Sequence, residues 1–314
     1  MNVKNFKKAL PPLLLTLAAI IWGFAFVAQK ASENVPVFTM VATRSLFATV
    51  FLVFAVILFD AKNKNGRRLF SKEKKIDLSR YELAGGAICG TILTLASVFQ
   101  QLGINSGTNA GKAAFITALY VILVPIYALP LGKRAPINVW LSVAVAVVGF
   151  YFLCITEELS LVTADVFVII CALVFPLHIL SVDHFSPKCD GIRMSLVQFS
   201  VCTVINIILA LIFERGTDIG LVFDAILPLL FLGIGSSGIA YTLQIVGQKG
   251  VNPAVASIIM SLESVFGVVG AAVVLGEKMS LREYIGSAIV FAAVILSQIN
   301  FTKLTAKNKE NKNG

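Results

Sequence analysis

Apolar residues in this chain come in long runs separated by short polar stretches, not in the alternating or every-third-residue patterns of half-buried elements. Ten runs lie near 10–29, 37–59, 81–104, 111–131, 137–155, 162–183, 192–213, 223–246, 252–275 and 283–301. Each approaches the ~20 residues that cross a hydrocarbon core ~30 Å thick. Segments immersed in lipid must satisfy their own backbone hydrogen bonds, and runs without strand alternation do so as helices. The pattern predicts an all-α membrane protein with ten transmembrane helices. The first run follows Lys4, Lys7 and Lys8, as a signal peptide would. It is long for a signal's apolar region and no small-residue cleavage site follows, so it is read as a retained span.

Composition agrees: 57% of residues are hydrophobic and 14% charged, against roughly half and a quarter in soluble domains. The positive charges add an orientation. With the N-terminus inside, the cytoplasmic segments hold twenty Lys and Arg, eight of them in 61–80, and the outer segments five. Short loops rich in Lys and Arg stay cytoplasmic, so both termini are expected there. The same asymmetry accounts for the net charge of +9 through topology and anionic lipid headgroups, with no nucleic-acid partner. Four of the five cysteines fall in spans and Cys189 in a cytoplasmic loop. No disulfide, metal site or cofactor is expected, and His178 and His184 are too few for a zinc cluster.

Shifted by 144 residues, segment 100–150 lies without a gap on 244–294, with nine identities that include Gln100/Gln244, Gly103/Gly247, Leu131/Leu275 and Gly132/Gly276. With a different offset Arg44 falls near Gln198 and Trp22 near Phe175. Spans 1–5 therefore repeat as spans 6–10. An odd number of crossings inverts the second copy, giving two inverted five-helix repeats related by a pseudo-two-fold axis in the membrane plane. The division places the first repeat at 1–155, the second at 156–301 and a basic cytoplasmic tail at 302–314.

Four stretches carry a family resemblance: "WGFAFVAQKAS" (22–32), Arg44, "FQQLGINSGTNAGKAAFITALYVILVPI" (99–126) and "SLESVFGVVGAAVVLGEKMS" (261–280). Across nearly its whole length the chain resembles the drug/metabolite transporter superfamily, in its ten-span EamA-like branch. The family's ninth span commonly reads Leu-Glu-Pro-Val-Phe and ends in Leu-Gly-Glu; Leu262, Glu263, Val265, Phe266, Leu275, Gly276 and Glu277 match. Ser264 stands in place of the proline, and Lys133 where the first repeat often has the turn glutamate. The resemblance implies export or exchange of small metabolites across the cytoplasmic membrane.

Helical spacing gives the candidate residues. Ser257, Ser261 and Ser264 share a face of span 9, and the shift maps them onto Ala113, Thr117 and Tyr120 of span 4. Thr94, Ser97 and Gln101 line span 3, and Ser237, Tyr241 and Gln244 line span 8. Such residues also promote ordinary helix packing in membranes; their recurrence in both repeats points, as a set, to a cavity at the repeat interface. Two ionisable residues lie inside spans. Arg44 is about 10 Å deep and Glu263 about 15 Å, near the midplane, at 1.5 Å per residue. A charge there costs at least ~2.5–3.5 kcal/mol, so each needs a partner or water. Glu263 has three readings: structural, paired with Arg44 or a substrate cation, or a proton site. Arg44 has two, contact with a substrate anion or a bond to carbonyls. Trp22 either packs or stacks on a solute. Pro125, Pro130 and Pro176 are candidate bends.

These residues predict a secondary transporter, exporter or exchanger, of a small organic metabolite working by alternating access. Its partners are a small-molecule substrate and membrane lipid, with a homodimer left open. The chain has no P-loop. The competing class is a membrane-embedded enzyme acting on a lipid-linked substrate, for which Asp183, His184 and Asp190 are the poor catalytic candidates. A scaffold without transport leaves the repeated polar arcs unexplained.

Overall fold

The computed structural model describes residues 3–62, 78–108, 110–154, 162–276 and 278–299. Most of the basic 61–80 segment, Glu277 and the 302–314 tail lie outside the described residues. Among the described residues the chain is helical and without strands.

Among the described residues seven spans are single helices: span 1 (Val3–Ala31), span 2 (Val37–Lys62), span 3 (Arg80–Asn105), span 5 (Ile137–Cys154), span 6 (Thr163–Phe185) and span 7 (Gly191–Phe213) are six of them. Span 10 (Leu281–Gln298) is the seventh. Among the described residues nine helical segments are long and apolar enough to cross a membrane, and Ile137–Leu153 is a shorter apolar helix. Starts follow sequence-legible caps. Ser79 and Glu82 bond each other's backbone N–H at 3.2 and 2.7 Å before span 3, Ser280 and Glu283 repeat the box before span 10, and the Asp190 carboxylate caps span 7. Span 2 is capped from a distance: Glu214, at the end of span 7, accepts from the N–H groups of Phe38 and Thr39 at 2.8 and 2.7 Å.

Three spans depart from a continuous helix. Span 4 is Ala110–Ala118 followed by Tyr120–Ala128 and a 3₁₀ turn, Leu129–Leu131. Span 9 is Pro253–Met260 followed by Glu263–Leu275. Span 8 is Ile226–Leu230, a π-helical stretch Phe231–Ala240, and Tyr241–Gly247. The break in span 4 falls at Leu119, not at Pro125, which lies within its second helix, and Pro176 sits inside an uninterrupted span 6.

The packing has the symmetry the repeat requires. Span 2 packs on span 7 and span 5 on span 10; span 1 packs on spans 8 and 9, and span 6 on spans 3 and 4. Exchanging each span for its counterpart five places along leaves that set of pairs unchanged, as an inverted repeat predicts. Glycines allow the closest approaches: a Cβ on Gly286 would meet the Leu153 nitrogen at 2.5 Å, and one on Gly23 would meet Phe266 Cβ at 2.4 Å. Apolar side chains such as Phe213 and Leu227 face outward, as lipid requires of a bundle with no aqueous surface along its sides. Spans 1 and 10 begin and end on one face, the terminus-bearing face; the turn at residues 32–36 lies on the opposite face.

Candidate functional site

The two broken helices meet at their breaks. In span 9 the ladder tightens at Ser261 and Leu262: Leu262 N–H donates to Ile259 O at 3.2 Å and Ser264 N–H to Ser261 O at 3.1 Å, both three residues back. In span 4, Leu119 N–H donates to Ile116 O at 3.2 Å and Ile122 N–H to Leu119 O at 3.0 Å. Hydroxyls contribute in span 9, where Ser257 and Ser261 each donate to the carbonyl three residues back, at 2.8 and 2.7 Å, which bends a helix. The 144-residue shift carries Leu119 onto Glu263, the residue just after the Ser261–Leu262 break, so the interruptions fall within two residues of repeat-equivalent positions. Interrupted helices near the midplane are the device by which repeat transporters build sites.

Across that junction Tyr120 donates its hydroxyl to Glu263 Oε1 at 3.2 Å. Beside it lies a constricted cavity of about 30 Å³, lined by spans from both repeats. Trp22, Arg44, Ser97, Thr117, Tyr241 and Glu263 all reach it. Such a volume holds a water or two, with a water needing about 10–15 Å³.

Each lining residue is positioned by a local feature. Gly233, in the π-helical stretch, has no room for a Cβ, which would meet Phe47 Cβ at 2.5 Å and Arg44 O at 2.9 Å. That approach of spans 2 and 8 lets Arg44 Nε donate to Ser237 Oγ at 3.2 Å. This is the guanidinium's single hydrogen bond among the described residues, and Arg44 is 7% exposed. Arg44 and Glu263 form no ion pair in this structure; the hydrogen-bond partner of Glu263 is Tyr120. Trp22 donates Nε1–H to Ser236 O at 3.2 Å, and its ring lies 4.7 Å from that of Tyr241. The π-helical register shifts the bonding partners of these carbonyls, a common feature of functional segments.

Toward the opposite face a glutamine network closes the cavity. Gln29 Nε2 donates to Gln100 Oε1 and Gln101 Oε1 at 3.1 and 3.3 Å, Gln100 Nε2 to Thr117 Oγ1 at 3.2 Å, and Gln101 Nε2 to Asn105 Oδ1 at 2.7 Å. The remaining sequence candidates lie elsewhere. Gln244 donates to Gln248 Oε1 at 3.2 Å near the terminus-bearing face. Ser261 spends its hydroxyl on its own helix, and Ser264 Oγ is buried without a protein partner. The sequence reading named Gln100 and Phe175 only as repeat counterparts and Gln29 not at all, and none of the three as a site residue. Gln29 had a signal, since it lies seven residues after Trp22 and so on the same helical face.

Comparison with known proteins adds three findings. The EamA-like transporter family profile matches twice, over residues 10–155 and 162–299. A protein of Archaeoglobus fulgidus named as an uncharacterized transporter is 27% identical over 305 residues, covering 94% of this chain and 88% of its own length. A solved crystal structure superposes with a TM-score of 0.73 over 92% of this chain and 96% of its own, at 15% identity, a likeness of fold.

Proposed function

The chain belongs to the EamA-like transporter family, and on that premise we propose that it moves a small organic metabolite by alternating access, as an exporter or exchanger. It is a multi-pass membrane transporter rather than an enzyme. The observation that carries the finer reading is the cavity between the two broken helices, where Arg44 and Glu263 face one space without bonding each other. A guanidinium with free donors takes a carboxylate or other anion, and a carboxylate opposite takes an ammonium. The rings of Trp22 and Tyr241 offer an apolar and cation-friendly wall. We assign the solute to the small zwitterions, the α-amino acids being the simplest class.

The cavity is too small for such a solute, and the Gln29 network separates it from the opposite face. These contacts support a closed state of a cycle in which one side opens at a time. The charge asymmetry supports placing both termini in the cytoplasm, in the cytoplasmic membrane. The residue roles are Arg44 for the anionic group, Glu263 for the cationic group or a coupled proton, and Trp22, Ser97, Thr117 and Tyr241 for the walls.

Purified protein in liposomes, given labelled amino acids, sugars and nucleobases, tests the reading by saturable counterflow. Exchange of amino acids, reduced at least about tenfold by Arg44→Gln, is the expected result, a loss of ~1.4 kcal/mol of binding or more. No flux of any solute by folded, inserted protein sinks it. Glu263→Gln separates the acid's roles: retained counterflow with loss of accumulation driven by a pH gradient assigns it the proton, and loss of both assigns it the solute.

A further inference from the structure

On the other side of Tyr241 lies a second group of buried polar side chains that the cavity does not use. His178 of span 6 and Gln198 of span 7 are each 0% exposed, and His178 Nε2 lies 3.1 Å from Gln198 Oε1. Their remaining polar atoms, His178 Nδ1 and Gln198 Nε2, have no protein partner, nor has Gln244 Oε1 one turn beyond Tyr241. The rings of His178 and Tyr241 stand 5.7 Å apart and nearly perpendicular, and Phe175, which also lines the cavity, lies 6.0 Å from His178, so two aromatic rings stand between this group and the cavity. Leaving a buried amide or imidazole nitrogen unpaired costs about 1–3 kcal/mol. His178 and Gln198, hydrogen-bonded to each other, each carry that cost at a second nitrogen.

The repeat supplies an independent reason. Gln198 falls at the counterpart of Arg44, and spans 2 and 7, which carry them, pack on each other across the pseudo-two-fold axis. Inversion places the two residues in opposite halves of the bundle: Arg44 lies seven residues from the Val37 end of span 2, and Gln198 seven from the Gly191 end of span 7, at the terminus-bearing face. Gln100 and Gln244 are related in the same way. The first belongs to the network that shuts the opposite face; the second bonds Gln248, whose Nε2 donates to Ile179 O of span 6 at 2.8 Å. Each repeat thus has a glutamine closure on its own side and a polar group behind it.

We propose that Gln198 and His178 form a second contact for the zwitterionic solute, Gln198 for its carboxylate and His178 for its ammonium, presented when the molecule opens toward the terminus-bearing face. The assignment rests on the transport reading above. The Gln198 amide N–H takes the carboxylate, and His178 Nδ1 takes a donor such as the ammonium. Both groups are neutral where Arg44 is charged, so the carboxylate is held more weakly here than on the Arg44 side. Unequal affinities give the two faces different half-saturation concentrations, while the direction of net flux follows the gradient.

The test places single cysteines in a chain freed of its five native ones: Gln198→Cys, His178→Cys and Arg44→Cys. Each is reconstituted in one orientation and treated with a charged, membrane-impermeant methanethiosulfonate from either face. Cysteines at 198 and 178 are expected to react from the terminus-bearing face alone, and cysteine at 44 from the opposite face alone. An open state populated at about 0.1–10% makes labelling about 10 to 1,000 times slower than at an exposed cysteine. An amino acid that exchanges in wild type slows it further. Cysteines at 198 and 178 that stay unreactive in protein eluting like wild type, or that react equally from both faces, overturn the proposal. Sided labelling that no amino acid slows overturns the carboxylate contact. Should the cysteine variants misfold, His184→Gln leaves His178 as the lone histidine, and its modification by diethyl pyrocarbonate, read by mass spectrometry, decides accessibility the same way. Wild-type counterflow is read separately, so failure of transport shows as absent flux beside intact sided labelling.

Discussion

Spans 4 and 9 are counterparts under the repeat, broken within two residues of equivalent positions, yet they are anchored in different ways. Span 4 is tied to span 6 at both ends by ion pairs, Lys112 with Asp165 and Lys133 with Asp183. Span 9 has no ion pair to span 1 among the described residues and lies against it through glycines, where Gly23 faces Phe266 and Gly267, and Gly270 faces Phe24. The site chemistry divides along the same line: the tied helix carries Tyr120 at its break and the glycine-seated one Glu263. Repeat symmetry thus accounts for the two interruptions and not for what stands at them. A backbone device is present in both copies while the side chains at it differ, the charged partner lying on the helix that is seated on span 1 through glycines.

The largest way to break this contrast is at Gly23. A Cβ there would sit 2.4 Å from Phe266 Cβ and 2.5 Å from its backbone carbon, a collision with main chain that a rotamer change does not relieve. Gly23→Leu is expected to cost about 3 kcal/mol or more, the upper end for overpacking, and to show as lost assembled protein on size exclusion. Gly270→Ala, whose nearest contact would be 3.3 Å from the Phe24 ring, is expected to stay within about 1 kcal/mol. A Gly23→Leu chain with wild-type melting temperature would show that span 9 is not seated by this seam.

Next comes Lys112→Ala. Its partner Asp165 is buried, with 1% of its side chain exposed, and also accepts from Thr108 Oγ1 at 3.0 Å and from Val162 N–H at 2.8 Å while starting span 6. Removing the lysine strands a buried carboxylate, a loss of about 3–5 kcal/mol for an uncushioned group; the two remaining donors place the expectation near the lower figure. The measurement is thermal unfolding in detergent, and the comparison is sharpened by Lys112→Ala/Asp165→Asn, which is expected to recover more than half of the loss.

Much of this was readable before any coordinates, and the rest fails for identifiable reasons. The ten spans, their symmetry and the placing of Arg44 and Glu263 follow from run length and the 144-residue shift, because lipid allows few alternatives to a helix. The breaks were not readable. Leu119 carries no glycine or proline, and Pro125, which invites a kink, lies within a helix; the interruption is a tightening to three-residue bonds that the packing of spans 4 and 9 decides. The serine stripe misleads for the same reason, since Ser257 and Ser261 turn their hydroxyls onto their own backbone rather than into the cavity. Spacing alone places a hydroxyl on a face and says nothing of which acceptor it chooses.

The smallest effect tests whether the two ties of span 4 are alike. Lys133 pairs with Asp183 near the terminus-bearing face, but its side chain is 40% exposed, against 15% for Lys112. Asp183 is 10% exposed, but with the lysine in solvent the pair gains less over hydration than a buried one and is reached by salt, so Lys133→Ala is expected to cost about 1 kcal/mol, less than Lys112→Ala. That loss should vanish as ionic strength rises to ~1 M, where the screening length falls to ~3 Å. The loss at Lys112 should persist under the same salt, because Asp165 is shielded from it. Two melting curves per variant, at low and high salt, read this directly. A salt-sensitive Lys112→Ala would make both ties surface features, and the distinction between spans 4 and 9 would then rest on the glycine seam alone.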